Sequence, residues 1–262
     1  MPEIHPTALV DPSAELGCDV TVGPYAIIEA GVRIGDGCKL GPRVVIHAHT
    51  TLGARNIVDI GAVLGGDAQD VKCTSPDTYL EIGDDNTIRE YVTIHRSNHE
   101  GGFTRIGNHN FLMSYVHVGH DCTVGNYIMM ANLVQLGGHC VIDDRAVLGG
   151  MSSFHQKVRI GRMVMVGGLS GCSIDAPPFC MVEGRPGEVK GLNLVGLRRN
   201  DIPEATRTRL RRAVRMLFTS RRNRGDALDE LTAEADPTPE VQELLAFVRA
   251  MREGHNSRQL ER

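Results

Sequence analysis

The stretch SYVHVGHDCTVGN, residues 114–126, places His117 and His120 three apart, with Asp121 directly after the second. Three kinds of role suit such a group. A neutral imidazole beside a carboxylate is equipped for general-base work, because its pKa lies near neutrality and the carboxylate fixes its tautomer. Several imidazoles brought together bind zinc. The same residues also occur as solvated decoration on a strand. The elements that carry them have to separate these readings.

Those elements follow a period of six. From Ile4 to Cys172 the sixth-residue slots number 29, and 24 of them hold Ile, Leu, Val or Met. The phase fails at Asp70, Pro76 and Glu100 and returns each time in register. Glycine often follows the aliphatic residue, as at Gly23, Gly41, Gly119 and Gly137. It suits a tight corner, where positive φ or close backbone approach is required. Four residues after the aliphatic comes a smaller inward residue, such as Ala26, Val32 or Cys38. Short alternating segments with a turn every six residues are strands, and the hexapeptide period is that of a β-helix. In the left-handed form three hexapeptides make one triangular coil, so residues 18 apart stack. Cys122 and Cys140 then fill the core. Two stretches leave the coils, 66–79 and 95–105, and loops on a rigid scaffold are where function concentrates.

Slots Val118, Leu136 and Phe154 share one column. His120, His139 and His155 follow them by two, three and one residues. With neighbouring strands about 4.8 Å apart, the three project from one edge region. His117 and Asp121 flank His120, and His95 opens the second loop. Such stacking predicts a functional site.

The phase stops after DAPPF (175–179). Asp201 is expected to cap a helix carrying Leu210, Val214 and Leu217 on one face. A second helix is expected over about 226–235, and a third from Thr238 and Pro239 with Val241, Leu244, Leu245, Val248 and Met251 inward. The domain organisation predicted is a β-helix over residues 1–185 and a helical domain over 186–262.

Composition narrows the classes. A net charge of −4 in 262 residues gives no footprint for nucleic acid. Seven cysteines without a CxxC pair speak against a disulfide framework and for a reducing compartment. No basic segment followed by an apolar run opens the chain, and no apolar stretch approaches the ~20 residues of a membrane span. A cytoplasmic protein without a transmembrane segment is expected.

The motifs VHVGHDCTVGN, LGGH, GGMSSFHQ, MVGGLSG, DAPPF and GGDAQDVK stand in this order on the six-residue frame. Together they closely resemble the UDP-N-acetylglucosamine O-acyltransferases of lipid A biosynthesis, over essentially the whole chain. The resemblance implies a homotrimer of left-handed β-helices with active sites between subunits. It implies transfer of an (R)-3-hydroxyacyl chain from acyl carrier protein to the sugar 3-hydroxyl, with no metal and no cofactor beyond the donor's phosphopantetheine thioester.

Carried over by position, His120 looks like the general base, Asp121 its orienting acid, and the Gly138 N–H the oxyanion donor. His95, His117 and His139 are similar to contacts with the sugar nucleotide, and His155 and Gln156 to contacts with its uracil or phosphate end. Gln69, Asp70 and Lys72 match residues that grip the glucosamine. Asn193 and Arg199 match groups near the nucleotide or the pantetheine arm, and Gly168 matches the acyl-chain ruler.

Val195 and Asn200 stand where the family commonly has a glutamate and a second arginine, which leaves room for a 3-amino sugar acceptor. Ten arginines between 198 and 224 offer a surface to acidic acyl carrier protein. Three rivals remain at this stage. The related N-acyltransferase carries an extra N-terminal uridine-binding domain, whereas the repeat here starts at Ile4. The γ-type zinc carbonic anhydrases hold zinc with histidines spaced five apart on a strand, where His117 and His120 are three apart. The third is a non-catalytic scaffold.

Overall fold

The computed structural model describes residues 1–73, 77–220, 222–234 and 238–253. The repeat slot at Pro76, the end of the expected second helix at Ala235, and Arg221 of the arginine cluster lie outside these residues.

Each aliphatic slot lies in a short strand, most of them two residues long, such as Thr21–Val22, Ile27–Ile28 and Arg33–Ile34. Successive strands belong to successive faces of a three-sided coil. The faces are parallel sheets of eleven, nine and eight strands, parallel throughout except for a final antiparallel hairpin. Their inner surface forms one apolar column, with Ile46, Leu64, Val118, Leu136 and Cys122 at 0% exposure. A coil this thin has no separate core, so stability comes from stacking one coil on the next.

The two loops explain why the phase survived them. Strand partners lie 18 residues apart in most of the coil, as in Ile4↔Val22. Across the first loop Val58 pairs with Ile88, 30 residues on. Across the second Ile88 pairs with Leu112, 24 residues on. The excesses are twelve and six, both whole repeats, so each loop bulges from the coil without rotating the next strand.

The glycine expectation is half right. Of the glycines that follow an aliphatic slot, only Gly65 has positive φ. The left-handed corner falls two residues later and is held mostly by other residues, among them Tyr115, Asp121, His139 and Lys157. The glycines serve close approach instead. A Cβ on Gly149 would stand 2.5 Å from Gly168 N in the next coil.

The C-terminal end departs further from the expectation. Cys180–Glu183 still joins the first face, then turns back as the strand Glu188–Leu192. Helices follow: α1 (Leu194–Arg199), α2 (Glu204–Val214), α3 (Arg224–Ala233) and α4 (Pro239–Glu253). Asp201 does not cap α2. It adopts φ 56° in the link after α1, and Pro203 precedes α2 without a side-chain cap. Arg215–Thr219 continues α2 as a π-helical turn and keeps Leu217 buried. Leu210, Val214, Leu244 and Val248 pack with Met163, Phe179 and Cys180 at the end of the coil. Arg162 donates to both carboxylate oxygens of Glu243 at 2.7–3.1 Å, tying coil to α4.

Candidate active site

The corner that follows the second face gathers the chemistry. Val118 and Cys122 point inward at 0% exposure, which leaves His120 and Asp121 outside the prism. Both remain sheltered, their side chains 12% and 11% exposed. His120 Nδ1–H donates to Asp121 Oδ2 at 2.7 Å. A carboxylate held there fixes the tautomer and leaves Nε2 with a free lone pair.

That nitrogen faces Gly138. A Cβ on Gly138 would stand 2.6 Å from His120 Nε2 and Cε1, so any side chain would displace the imidazole. The Gly138 carbonyl accepts from Lys157 N–H at 2.9 Å. Its own N–H donates to no acceptor among the described residues. An oriented imidazole and an unspent backbone donor thus share one opening.

Asp121 is the most heavily bonded side chain of the site. Burial works against its ionisation. Hydrogen bonds from His120, Ser97 and His99 and from the Asn98 N–H outweigh that penalty and hold the carboxyl well below the usual range. Ser97 Oγ donates to Oδ1, and Asn98 N–H donates to Oδ2 at 3.2 Å. Asp121 N–H donates to Thr104 Oγ1 at 2.8 Å. Ser97, Asn98, His99 and Thr104 were not singled out in the sequence. Thr104 lies in the strand Phe103–Ile106 at the inward position of the repeat, where the frame could have placed it, whereas Ser97, Asn98 and His99 follow no period and only their polar types in a coil-breaking segment hinted at a role.

An open cleft of about 480 Å³ lies before His120, lined by Gln69, His95, His117, Gly119, Gly137, Gly138, His155 and Gln156 as well. Burial first, then the neighbouring His95 and His120, push the His117 imidazole down to about 4. Burial also lowers His95 and His139. Neutral imidazoles offer one donor and one acceptor each, as hydroxyl-rich ligands require. His95 Nδ1–H donates to Asp67 O at 2.6 Å, and Thr93 Oγ1 lies 2.9 Å from His117 Nδ1.

The two Nδ1 atoms of His117 and His120 are engaged by Thr93 and Asp121, and among the described residues neither ring belongs to a group of three or more donor side chains close enough to share an ion. His139 stands edge-on to His120 with ring centroids 5.1 Å apart. In the first loop, Asp70 accepts from Lys72 N–H and from Asn98 Nδ2, each at 2.9 Å, joining the two loops. Lys72 is exposed.

Asp70, Lys72 and His139 do not line the cleft, and three further predicted residues belong to other parts of the structure. Asn193 is 9% exposed. Its Oδ1 accepts from Gly196 N–H and its Nδ2 donates to Met163 O, both at 2.9 Å, so its amide caps α1. Arg199 lies exposed in the last turn of α1. Gly168 is exposed, and a Cβ there would meet only Gly150 backbone, at 3.3 Å and beyond.

Comparison with known proteins places this geometry. A family model described as bacterial transferase hexapeptide (six repeats) matches residues 13–48. A second, described as UDP-N-acetylglucosamine O-acyltransferase, domain 2, matches residues 175–256. Coil and cap together therefore define a hexapeptide-repeat acyltransferase. An acyl-[acyl-carrier-protein]–UDP-N-acetylglucosamine O-acyltransferase of Alkalilimnicola ehrlichii is 45% identical over 97% of this chain and 99% of its own. One from Myxococcus xanthus is 46% identical over 97% and 99%. The structure of LpxA, a UDP-N-acetylglucosamine acyltransferase from Bacteroides fragilis, superposes with a TM-score of 0.92 at 35% identity, covering 98% of this chain and 99% of that one.

The chain belongs to the family of acyl-[acyl-carrier-protein]–UDP-N-acetylglucosamine O-acyltransferases. Its coil is the left-handed β-helix of that family, and the anhydrase, N-acyltransferase and scaffold readings give way to it.

Proposed function

We propose that the chain transfers a hydroxyacyl group from acyl carrier protein to the 3-hydroxyl of UDP-N-acetylglucosamine, the opening step of lipid A assembly, with His120 as base. The observation that carries the mechanism is the pairing of His120 Nδ1–H with Asp121 at 2.7 Å, which leaves Nε2 directed at Gly138.

His120 Nε2 takes the proton of the sugar hydroxyl as its oxygen attacks the thioester carbonyl carbon. The carbon–oxygen bond forms, and the negative charge reaches the former carbonyl oxygen, which accepts from the Gly138 N–H. The carbon–sulfur bond then breaks, and the departing phosphopantetheine thiolate recovers the proton from His120. No metal or further cofactor enters this scheme. Gln69, Asp70, Lys72, His95, His117 and His139 orient the sugar nucleotide, with His155 and Gln156 toward its uracil or phosphate end.

A homotrimer in the cytoplasm completes the reading. Tyr91, Tyr115, Leu133, Met151 and Leu169, each three past an aliphatic slot of the first face, form a ridge 43–55% exposed along one edge. Exposed apolar surface of this extent suits contact with another copy. For acyl carrier protein, Arg198, Arg199, Arg211 and Arg215 are exposed and carry no ion pair among the described residues, whereas Arg212 and Arg222 are engaged by Glu230 and Glu234.

Supplying a mixture of hydroxyacyl carrier proteins with UDP-N-acetylglucosamine and its 3-amino analogue, then reading the products by mass spectrometry, tests the reading. It predicts the O-acylated sugar nucleotide with a longer chain, and a shorter chain for Gly168→Met. Preference for the amino sugar, or an unchanged length in Gly168→Met, would refute the acceptor or the ruler. The same assay run across ionic strength reads the arginine surface, whose use predicts a carrier-protein KM that rises with salt.

A further inference from the structure

The carboxylate that orients His120 also belongs to a second constellation. On its other side stand His99 and His139. One ligand atom from each of His99, Asp121 and His139 lies within 4.8 Å of the other two. His99 Nδ1 is 3.1 Å from Asp121 Oδ1, and His139 Nε2 is 3.8 Å from Asp121 Oδ2. Ligands that meet one zinc ion at about 2.1 Å in a tetrahedron lie roughly 3.4 Å apart. The two observed separations, one to each oxygen of the carboxylate, fall on either side of that value.

The positions also suit an ion arriving from solvent. Asp121 and His139 occupy rigid corners of adjacent coils, with φ of 60° and 61°. His99 sits on the 95–105 loop, 64% exposed, where a small shift closes the set. Two imidazoles and one carboxylate are borderline donors that favour zinc-class ions over magnesium or calcium.

We infer that His99, Asp121 and His139 form a site for a zinc-class divalent cation, and that its occupancy halts turnover by drawing Asp121 away from His120. Binding of the ion stands on the geometry of these three residues. Its inhibitory effect rests on the reading of His120 as base. Asp121 Oδ2 accepts from His120 at 2.7 Å, so an ion on this carboxylate withdraws electron density from the bond that sets the imidazole tautomer.

The test titrates the full-length protein with zinc against a chromogenic chelator. One ion per chain is expected. His99→Gln should weaken it by about tenfold or more, while His117→Gln, in the cleft beside His95, should leave it unchanged. Equal zinc affinity in wild type and His99→Gln, or loss in His117→Gln alone, would overturn the site. Melting curves of each variant confirm that it is folded. Binding is read without turnover, so this arm stands whatever the role of His120. In a second arm, zinc should slow wild-type acyl transfer reversibly. His99→Gln should need about tenfold more zinc for the same fractional loss against its own chelator-treated rate. Stoichiometric zinc with an unchanged wild-type rate would overturn the inhibitory half.

Discussion

At the corner that follows the third face, the residue two past the aliphatic slot is Asp36, Asp84, Asn108, Asn126 or Asp144. Each accepts a hydrogen bond from a backbone N–H of the preceding coil at 2.6–2.8 Å, Cys18 and Ala54 starting two runs of the ladder. At the corner that follows the second face, the same slot holds His120, Gly138 and Gln156. No such ladder runs there. His120 turns to its neighbour Asp121, and the Gly138 N–H faces the cleft unspent. One register position therefore does two jobs on one scaffold. Where polar groups answer one another along the stack they hold coils together. Where the ladder is interrupted, the unspent donors and the oriented imidazole are available to a substrate.

The contrast can be broken at either corner. The largest effect short of removing the base is expected from Asp121→Asn, which keeps the shape but loses the charge that fixes the His120 tautomer. Acyl-transfer kcat should fall on the order of 100-fold or more, in a variant whose melting curve shows it to be folded. A rate near wild type would mean that His120 is oriented by something else.

Six residues after His120, Asn126→Ala should do the reverse. It leaves the Asn108 N–H and side-chain amide without their acceptor, at a cost of about 1–2 kcal/mol in denaturant unfolding, while kcat/KM holds. A rate loss without a stability loss would erase the distinction between the corners.

The smallest effect is in pH. Folding holds His117 down to about 4, below the 6.5 of a free imidazole, because burial disfavours its charged form. The unfolded chain therefore binds more protons between these values, and stability falls as pH drops from 6.5 toward 4. Half-buried His95 and His139 act in the same direction. Chemical denaturation across this window should show the decline, and His117→Gln should flatten it. An equally steep variant would remove His117 from the account.

The coil was legible because its six-residue period answers to a single geometric demand, and even the two loops insert whole repeats. That His120, Asp121 and Gly138 meet at one corner was legible from that frame, while the roles assigned to them come from the family resemblance alone. Ser97, Asn98 and His99 were not, because their positions depend on how a non-repeating loop folds back on Asp121. At the C-terminus, Asp201 was misread as a cap because its type suits one, whereas the backbone gives it the left-handed link between α1 and α2. Nor did the sequence show that the Asn193 amide caps α1 and reaches Met163 O, because that depends on how the chain turns after the last coil.

The claim that the open corner performs the chemistry is tested most directly by the single-turnover rate of His120→Ala with bound hydroxyacyl carrier protein and UDP-N-acetylglucosamine. The account predicts a loss of roughly 10²–10⁴-fold, with sugar-nucleotide affinity and melting temperature close to wild type. Acyl transfer at the wild-type rate, or a loss matched by unfolding, would contradict it.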